Sequence, residues 1–543
     1  MSSRSTAGGP ADRPAPAPAR VAFVGAGPGD PGLMTARSLE LLAAADAVVI
    51  DQVSRDQVVR GRCRDDVEII DAGYGDHGQA LTHASRAKLV VKAAKAHQGG
   101  LVVRLMDGDP STFNGLAEEC LACQKAGVVF DVVPGVSAVA AVPAYAGVPL
   151  TSSSSTAVHV LSAGAGTDYS RSAADDVTAV LLGSPEGLAE GLTGLLDAGR
   201  GGETPVALTE RGTTTGQHTQ VTTLERAARA VSQLEVPTLA VVGEVVSLRE
   251  QLSWFETRPL FGWRVLVPRT KDQAGPMVAR LEGYGAVSEV VPTISVEPPR
   301  SPQQMERAVR GLVTGRYEWV GFTSVNAVRA VRERVDEYGL DVRAFAGIKV
   351  AAVGGVTAAA LREWGINPDL VPTREQSAAG LLEVWPDYDE LLDPINRAFL
   401  PRADIATDTL VAGLQDMGWE VDDVTAYRTV RAAPPAPEIR EDIKAGRFDA
   451  VVFTSSSTVR NLIGIAGKPH ASTVIACIGP ATARTAEELG LRVDVLAPEA
   501  SSVALVDALA DHGRARACAA EEAGEPVRRP SARRPAARKR VSR

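Results

Sequence analysis

The sequence predicts a layered α/β protein of several domain-sized units. Three observations carry that expectation. The chain has 543 residues, more than one core organises, so about three or four units are expected. Ala, Val and Gly supply much of its apolar content, and only 4% of residues are aromatic. Short β-branched runs alternate with Ala-rich helical stretches, the pattern of parallel sheets covered by helices.

The opening MSSRSTAGGPADRPAPAPAR has no apolar signal core and reads as a Pro/Ala leader through residue 19. Over residues 20–258, VAFVG, AVVID, LVVRLM and VFDVV are continuous apolar runs, expected as strands buried on both faces. ARSLELLAAA, RAKLVVKAAKAH and GLAEECLACQKAG read as the helices between them. AVHVLSAG, VTAVLLGS, PVALTE and TLAVVGEVV predict a second lobe, with a cleft between the two. The aromatic, proline-punctuated LSWFETRPLFGWRVLVPRT places a boundary near Pro259. From 259 to 513 the chain repeats itself: YEWVGFTSVNAVRAV (317–331) resembles FDAVVFTSSSTVRNL (448–462), and 350–372 resembles 474–498. Each copy reads strand, Ser/Thr/Gly turn, helix. Residues 514–543, Pro-rich and basic from about Gly524, read as a disordered tail.

Charge and composition exclude several classes. Lys and Arg total 57 against 66 Asp and Glu, a formal charge of −9, which argues against nucleic-acid binding. No apolar run reaches the ~18 residues of a membrane span. Five cysteines, an odd and sparse set, suit a reducing cytoplasm. Cys120 and Cys123 form one C-x-x-C without a second pair, and the seven histidines are scattered, so no metal site is expected.

In VGAGPGDPGLMT (24–35), Gly25, Gly27, Gly29 and Gly32 stand between a strand and a helix, where a ligand can approach the backbone. With Asp51 at the end of the next strand this approximates a dinucleotide fingerprint. The sixth position is Asp30, however, and Pro28 and Pro31 remove backbone donors. A carboxylate at the helix start would repel a pyrophosphate. A nicotinamide oxidoreductase is therefore disfavoured, and a cationic or neutral nucleotide-like ligand such as S-adenosylmethionine suits the loop.

VGAGPGDPGLMT, RLMDGDP (104–110), VVPGVSAVAAVPAYAGVPLT (132–151) and ALTERGTTTGQ (207–217) together resemble uroporphyrinogen-III C-methyltransferase of the tetrapyrrole methylase family, over about 20–258. The resemblance implies a two-lobed domain, possession of S-adenosylmethionine as cofactor, methylation of uroporphyrinogen III toward precorrin-2, and a homodimer through this half. It places Pro28, Asp107, Gly108, Asp109, Thr112, Ser137, Ala138, Leu182 and Gly212 at cofactor positions. Asp51 takes the place of the candidate base, or else caps the strand end. Three usually basic positions differ: Gly73, Met106 and Ser152-Ser153. A catalytically degenerate, regulatory methylase-like module is the alternative that these departures keep open.

WRVLVPRTKDQ, FTSVNAV, VAAVGGVTAAAL, EQSAAGLLE, LPRAD, VTAYRT, VVFTSSSTV and ACIGPATA resemble uroporphyrinogen-III synthase over about 260–513. That implies cyclisation of hydroxymethylbilane with inversion of ring D and no cofactor. It also implies two α/β lobes, 263–295 with 429–512 and 302–426, joined by a two-strand hinge. Thr323, Ser324, Thr357, Ser377, Thr454, Ser455 and the Gly479-Pro480 turn read as helix starts. Their N–H groups can hold substrate carboxylates, unless the hydroxyls only cap helices. Arg269, Lys271 and Arg402 are further cations, each equally a surface charge. Tyr427 falls at the position of a candidate acid for the departing hydroxyl, or is a packed hinge tyrosine.

Overall fold

In the computed structural model, which describes residues 20–51, 59, 61–73, 81–232, 234 and 238–532, the chain divides into two units. One ends at Gly262 and includes Tyr284–Ala286; the other comprises Trp263–Gly283 and the chain from Val287 onward. The leader expected over 1–19, His77 and residues 533–543 of the basic tail lie outside the described residues.

The first unit carries strands β1 (Arg20–Gly25), β2 (Ala47–Ile50), β3 (Glu68–Asp71), β4 (Leu101–Met106) and β5 (Val129–Val133). They form a parallel sheet in the order β3-β2-β4-β1-β5. β1, β2 and β4 are buried almost throughout, as expected for central strands. β5 is not buried on both faces: as an edge strand it exposes Val129 and Val132. β6 (Ala157–Ser162), β7 (Val177–Gly183), β8 (Pro205–Glu210), β9 (His218–Thr223) and β10 (Thr238–Val242) make a second, mixed sheet in the order β6-β7-β10-β8-β9.

The second unit adds β11 (Arg264–Val267), β12 (Val287–Val290), β13 (Ile294–Glu297), β14 (Trp319–Phe322), β15 (Lys349–Ala352), β16 (Arg397–Ala403), β17 (Glu420–Arg431), β18 (Ala450–Phe453), β19 (Val474–Cys477) and β20 (Val495–Leu496). They form two sheets, β12-β11-β18-β19-β20 and β13-β17-β16-β14-β15. The long β17 runs beside β16 and then pairs antiparallel with β13, Ile294 opposite Arg431 and Glu297 opposite Arg428. This two-stranded ribbon carries the chain between the lobes. The segment from residue 514 is not a disordered tail at its start: the helix Ser502–Glu522 continues through it, since RARACAAEE (514–522) is rich in strong helix formers. Beyond it, Ser531 N–H donates to Asp449 at 2.8 Å. No described helix is long and apolar enough to cross a membrane.

Candidate active sites

In the first unit the glycine-rich segments meet at the carboxyl ends of three neighbouring strands. Gly27, after β1, and Gly108, after β4, exchange backbone hydrogen bonds at 3.2 and 2.9 Å. Gly25 has to be glycine, because a Cβ there would lie 2.5 Å from Gly135 Cα, after β5. Asp109 ties the same loops together by accepting from Ser111 N–H and Gly135 N–H at 2.9 and 3.0 Å. Partial burial raises its pKa, but the hydrogen bonds from Ser111, Gly135 and Thr112 outweigh it, so the carboxyl sits below its usual value. Asn114 holds the turn from beneath, donating to the carbonyls of Asp107 and Asp109 at 2.6 Å.

The second lobe closes the site through the loop after β8. Asp30 N–H donates to Thr213 Oγ1 at 3.0 Å. A Cβ on Gly29 would press within 2.9 Å of Thr214 and 3.0 Å of the Gly212 carbonyl. Arg211 and Thr213 hold left-handed backbone angles, φ 47° and 65°, conformations that store strain where the chain must turn tightly. The Asp30 carboxylate is occupied: it caps Gly32 N–H and accepts from Tyr145 Oη, both at 2.7 Å. Burial and that carboxylate push the Tyr145 hydroxyl up to about 12. Ser137 caps the helix Ala138–Tyr145, and Leu182 packs on the same apolar cluster as Ala138. Gly108, at φ +62°, faces that helix start, and a Cβ on it would stand 3.4 Å from Ala138 N. The glycines thus let the loops after β1, β4, β5 and β8 pack backbone against backbone, with Gly108, Asp109, Ala138 and Gly212 at these contacts.

Asp51 follows β2 on the same carboxyl edge, but it is not a lone carboxylate. Arg104 donates to its Oδ1 at 2.7 Å, and Arg86 Nε lies 3.6 Å away. Arg104 is fully buried and also grips both oxygens of Glu119, at 2.8 and 3.1 Å. Burial opposes its charge, yet Glu119 and Asp51 together hold its pKa above the usual arginine value. The network escaped the sequence reading, although a single arginine inside LVVRLM signals a buried partner. The three departures also gain a cause. A Cβ at Gly73 would lie 1.7 Å from the Asp51 carbonyl oxygen. Met106 is wholly buried in the core with Phe23 and Val102. Ser152 Oγ accepts from the Ser154 and Ser155 N–H groups, closing its own turn.

In the second unit, Tyr427 lines a cleft of about 400 Å³ with Thr270, Ser295, Glu297, Asn326 and Arg329. Its hydroxyl lies 2.9 Å from Ser324 Oγ. Ser324, Ser377 and Ser455 each cap a helix, accepting from the N–H groups of Ala327, Gly380 and Thr458. Thr323 and Thr454 directly precede two of these caps. Thr357 lies in the first turn of its helix, Gly355–Trp364, but does not cap it. Gly354 caps that helix, and Thr357 is its third residue, turned into the core at 5% exposure. Gln376, absent from the sequence reading, supplies the missing cap by accepting from Gly355 N–H at 3.0 Å. Ser456 joins two expected turns by donating to the Ala481 carbonyl at 3.1 Å. Arg402 is no surface cation: it is buried and forked onto Asp423. Cys120 and Cys123 lie on the helix Leu116–Lys125, and burial pushes both thiols up to about 11. Among the described residues no group of His, Cys, Asp and Glu could hold a metal ion.

Residues 20–228 match the family model of tetrapyrrole (corrin/porphyrin) methylases, and residues 275–507 that of uroporphyrinogen-III synthase HemD. The chain is similar to the porphyrin biosynthesis protein HemD of Ruminiclostridium josui, 30% identical over 511 residues, which cover 91% of this chain and 98% of that protein. It is also similar to siroheme synthase 1 of Pectobacterium atrosepticum, 40% identical over 254 residues, 45% of this chain and 52% of that protein. The chain therefore spans about half the length of that siroheme synthase. Among solved structures it is similar to uroporphyrin III C-methyl transferase from Thermus thermophilus, 28% identical, covering 42% of this chain and 99% of that one, with a TM-score of 0.34.

Proposed function

The chain belongs to the family of the porphyrin biosynthesis protein HemD, a fusion of a tetrapyrrole methylase with a uroporphyrinogen-III synthase, and on that premise we propose that both halves are active. The C-terminal half cyclises hydroxymethylbilane to uroporphyrinogen III with inversion of ring D. The N-terminal half methylates that product toward precorrin-2, so the product of one half is the substrate of the other. The observation that supports this reading best is that the glycine-rich turns of the N-terminal half follow the parallel strands β1, β4 and β5, and Ser324 and Ser455 of the C-terminal half follow β14 and β18, at carboxyl ends of strands where α/β folds bind ligands.

In the N-terminal half, Pro28, Asp107, Gly108, Asp109, Thr112, Ser137, Ala138, Leu182 and Gly212 would hold S-adenosylmethionine. Bound there, the cofactor supplies a methyl group already activated for transfer. The chain's task is then to place an electron-rich pyrrole carbon against it and to accept the ring proton. Asp51 would accept it, a role supported by Arg104 fixing the direction of its carboxylate. In the C-terminal half, the helix starts at Ser324 and Ser455 offer N–H groups to substrate carboxylates. Tyr427 Oη donates its proton to the hydroxyl that leaves as water. Both reactions suit a reducing cytoplasm and need no membrane or nucleic acid. The homodimer implied for the methylase half is checked by the mass of the protein in solution.

A second reading, a methylase half that binds but does not transfer, is favoured by the two arginines that occupy Asp51. Incubating the full chain with hydroxymethylbilane and methyl-labelled S-adenosylmethionine separates the two. Label in the tetrapyrrole is expected. Uroporphyrinogen III without label, together with cofactor binding, would establish the second reading, and absence of any ring-D-inverted product, labelled or not, would remove the synthase.

A further inference from the structure

The two lobes of the second unit are duplicates that can be matched residue by residue. YEWVGFTS and FDAVVFTS set Trp319 against Ala450. Trp319 of β14 pairs with Ala398 of β16, and Ala450 of β18 pairs with Val265 of β11. Val265 is therefore the counterpart of Ala398. Counting along both strands makes Pro268-Arg269 the counterpart of Pro401-Arg402. In each lobe the arginine stands at the carboxyl end of a strand where the sheet order reverses direction, between β11 and β18 and between β16 and β14. Such a point opens a crevice for ligands.

The surroundings of the two arginines differ. Arg402 is 8% exposed, forks onto both oxygens of Asp423, and donates to the Thr407 carbonyl at 2.6 Å and to Asp408 at 3.0 Å. Asp423 stands on β17 opposite Leu400; the matching residue on β12, opposite Val267, is Val290. The register thus replaces the partner carboxylate with an apolar side chain. Arg269 is half-buried, and no carboxylate among the described residues compensates it; burial alone pulls its pKa below the usual arginine value. A guanidinium cannot escape by losing its proton near neutral pH, and buried charges are normally paired. Its chain neighbour Thr270 lines the cleft that holds Tyr427.

We propose that Arg269 is the anion anchor of the synthase cleft, taking a substrate carboxylate where its twin takes Asp423. This rests on the reading that the cleft accepts a polycarboxylate tetrapyrrole. It also assigns a division of labour to the duplication: one arginine braces its lobe, and the other is left for the ligand.

The test uses the full chain, hydroxymethylbilane for turnover and uroporphyrin III as a non-reacting ligand. In Arg269→Gln, KM for the bilane and Kd for uroporphyrin III should both rise about 10-fold, the scale of one lost charge-assisted hydrogen bond. kcat should change little, and Tm should not fall, because an uncompensated charge has been removed. Arg269→Lys should recover part of the affinity. Val290→Asp should give Arg269 the partner that Arg402 has, raising Tm while weakening uroporphyrin III binding. Unchanged KM and Kd in Arg269→Gln overturn the proposal, as does a lowered Tm with Kd unchanged, which marks a packing role. If the wild-type chain binds uroporphyrin III through Arg269 but does not cyclise the bilane, the anchor stands and the synthase reading falls. If the wild-type chain does not bind uroporphyrin III, the anchor falls whatever the turnover.

Discussion

Tyr427 Oη lies 2.9 Å from Ser324 Oγ, and Ser324 Oγ at the same time accepts from Ala327 N–H at 3.1 Å. The candidate acid of the synthase half is thereby hydrogen-bonded to the cap of the helix Val325–Glu337, one of the helix starts expected to hold substrate. Tyr427→Phe removes the phenol and keeps the ring. Turnover of hydroxymethylbilane should slow on the order of 10-fold, below the usual ~10²–10⁴ of general acid catalysis, because the bilane loses water readily. Stability should fall by about 1 kcal/mol for the lost hydrogen bond. A full rate in this variant would remove Tyr427 from the mechanism.

Arg104→Leu would leave Glu119, whose side chain has no exposure, as an uncompensated charge inside the first unit. Losing one partner of such a pair costs about 3–5 kcal/mol. Denaturant unfolding should show the first unit weakened by that amount. Arg86→Gln, at a partly exposed pair, should cost about 1 kcal/mol or less. Equal effects of the two substitutions would disprove the burial argument.

Restoring the usual cations of the methylase family should harm this chain. Gly73→Lys forces a Cβ to within 1.7 Å of the Asp51 carbonyl oxygen unless the backbone moves. Met106→Lys puts an ammonium among wholly buried apolar side chains, at a cost of several kcal/mol. Both variants should transfer less methyl label than the wild type and unfold at lower urea. A gain of methyl transfer in Gly73→Lys would show that the site simply lacks a cation.

The buried thiols should be inert at ordinary pH. Burial holds Cys120 and Cys123 up to about 11 and Cys477 up to about 12, so the reactive thiolate is scarce near neutrality. Iodoacetamide at pH 8 should label exposed Cys518 first. Because the folded chain holds these protons more tightly than an unfolded thiol of pKa about 8.5 does, their contribution to stability is complete below that pH. It is lost as pH rises toward about 11 and then about 12. Rapid labelling of Cys120 and Cys123 in the native protein would instead point to redox chemistry in the C-x-x-C.

Much of the fold was legible because it follows from local pattern. The buried strands β1 and β2 are apolar runs and β4 is one interrupted only by Arg104, and Ser324 and Ser455 announce helix starts by capping chemistry alone. The misreadings share a physical reason, since each turned on what lies across space. Thr357 sits in the first turn but does not cap it, because Gly354, with Gln376 reaching over from residues later in the chain, takes the cap. β5 looks like a core strand in sequence and is an edge strand because nothing pairs beyond it in that sheet.

The sequence by itself determined the α/β class, the duplicated second half, the glycine-rich turns and the two family resemblances, all of which are written in neighbouring residues and their spacing. Only the tertiary structure decided which charges are spent. Arg402 and Arg269 look alike in the chain, each following a proline after an apolar strand. What separates them is the residue on the adjacent strand, Asp423 for one and Val290 for the other. Whether a guanidinium has an ion partner depends on strand register, which joins residues about twenty positions apart and leaves no mark on the local sequence.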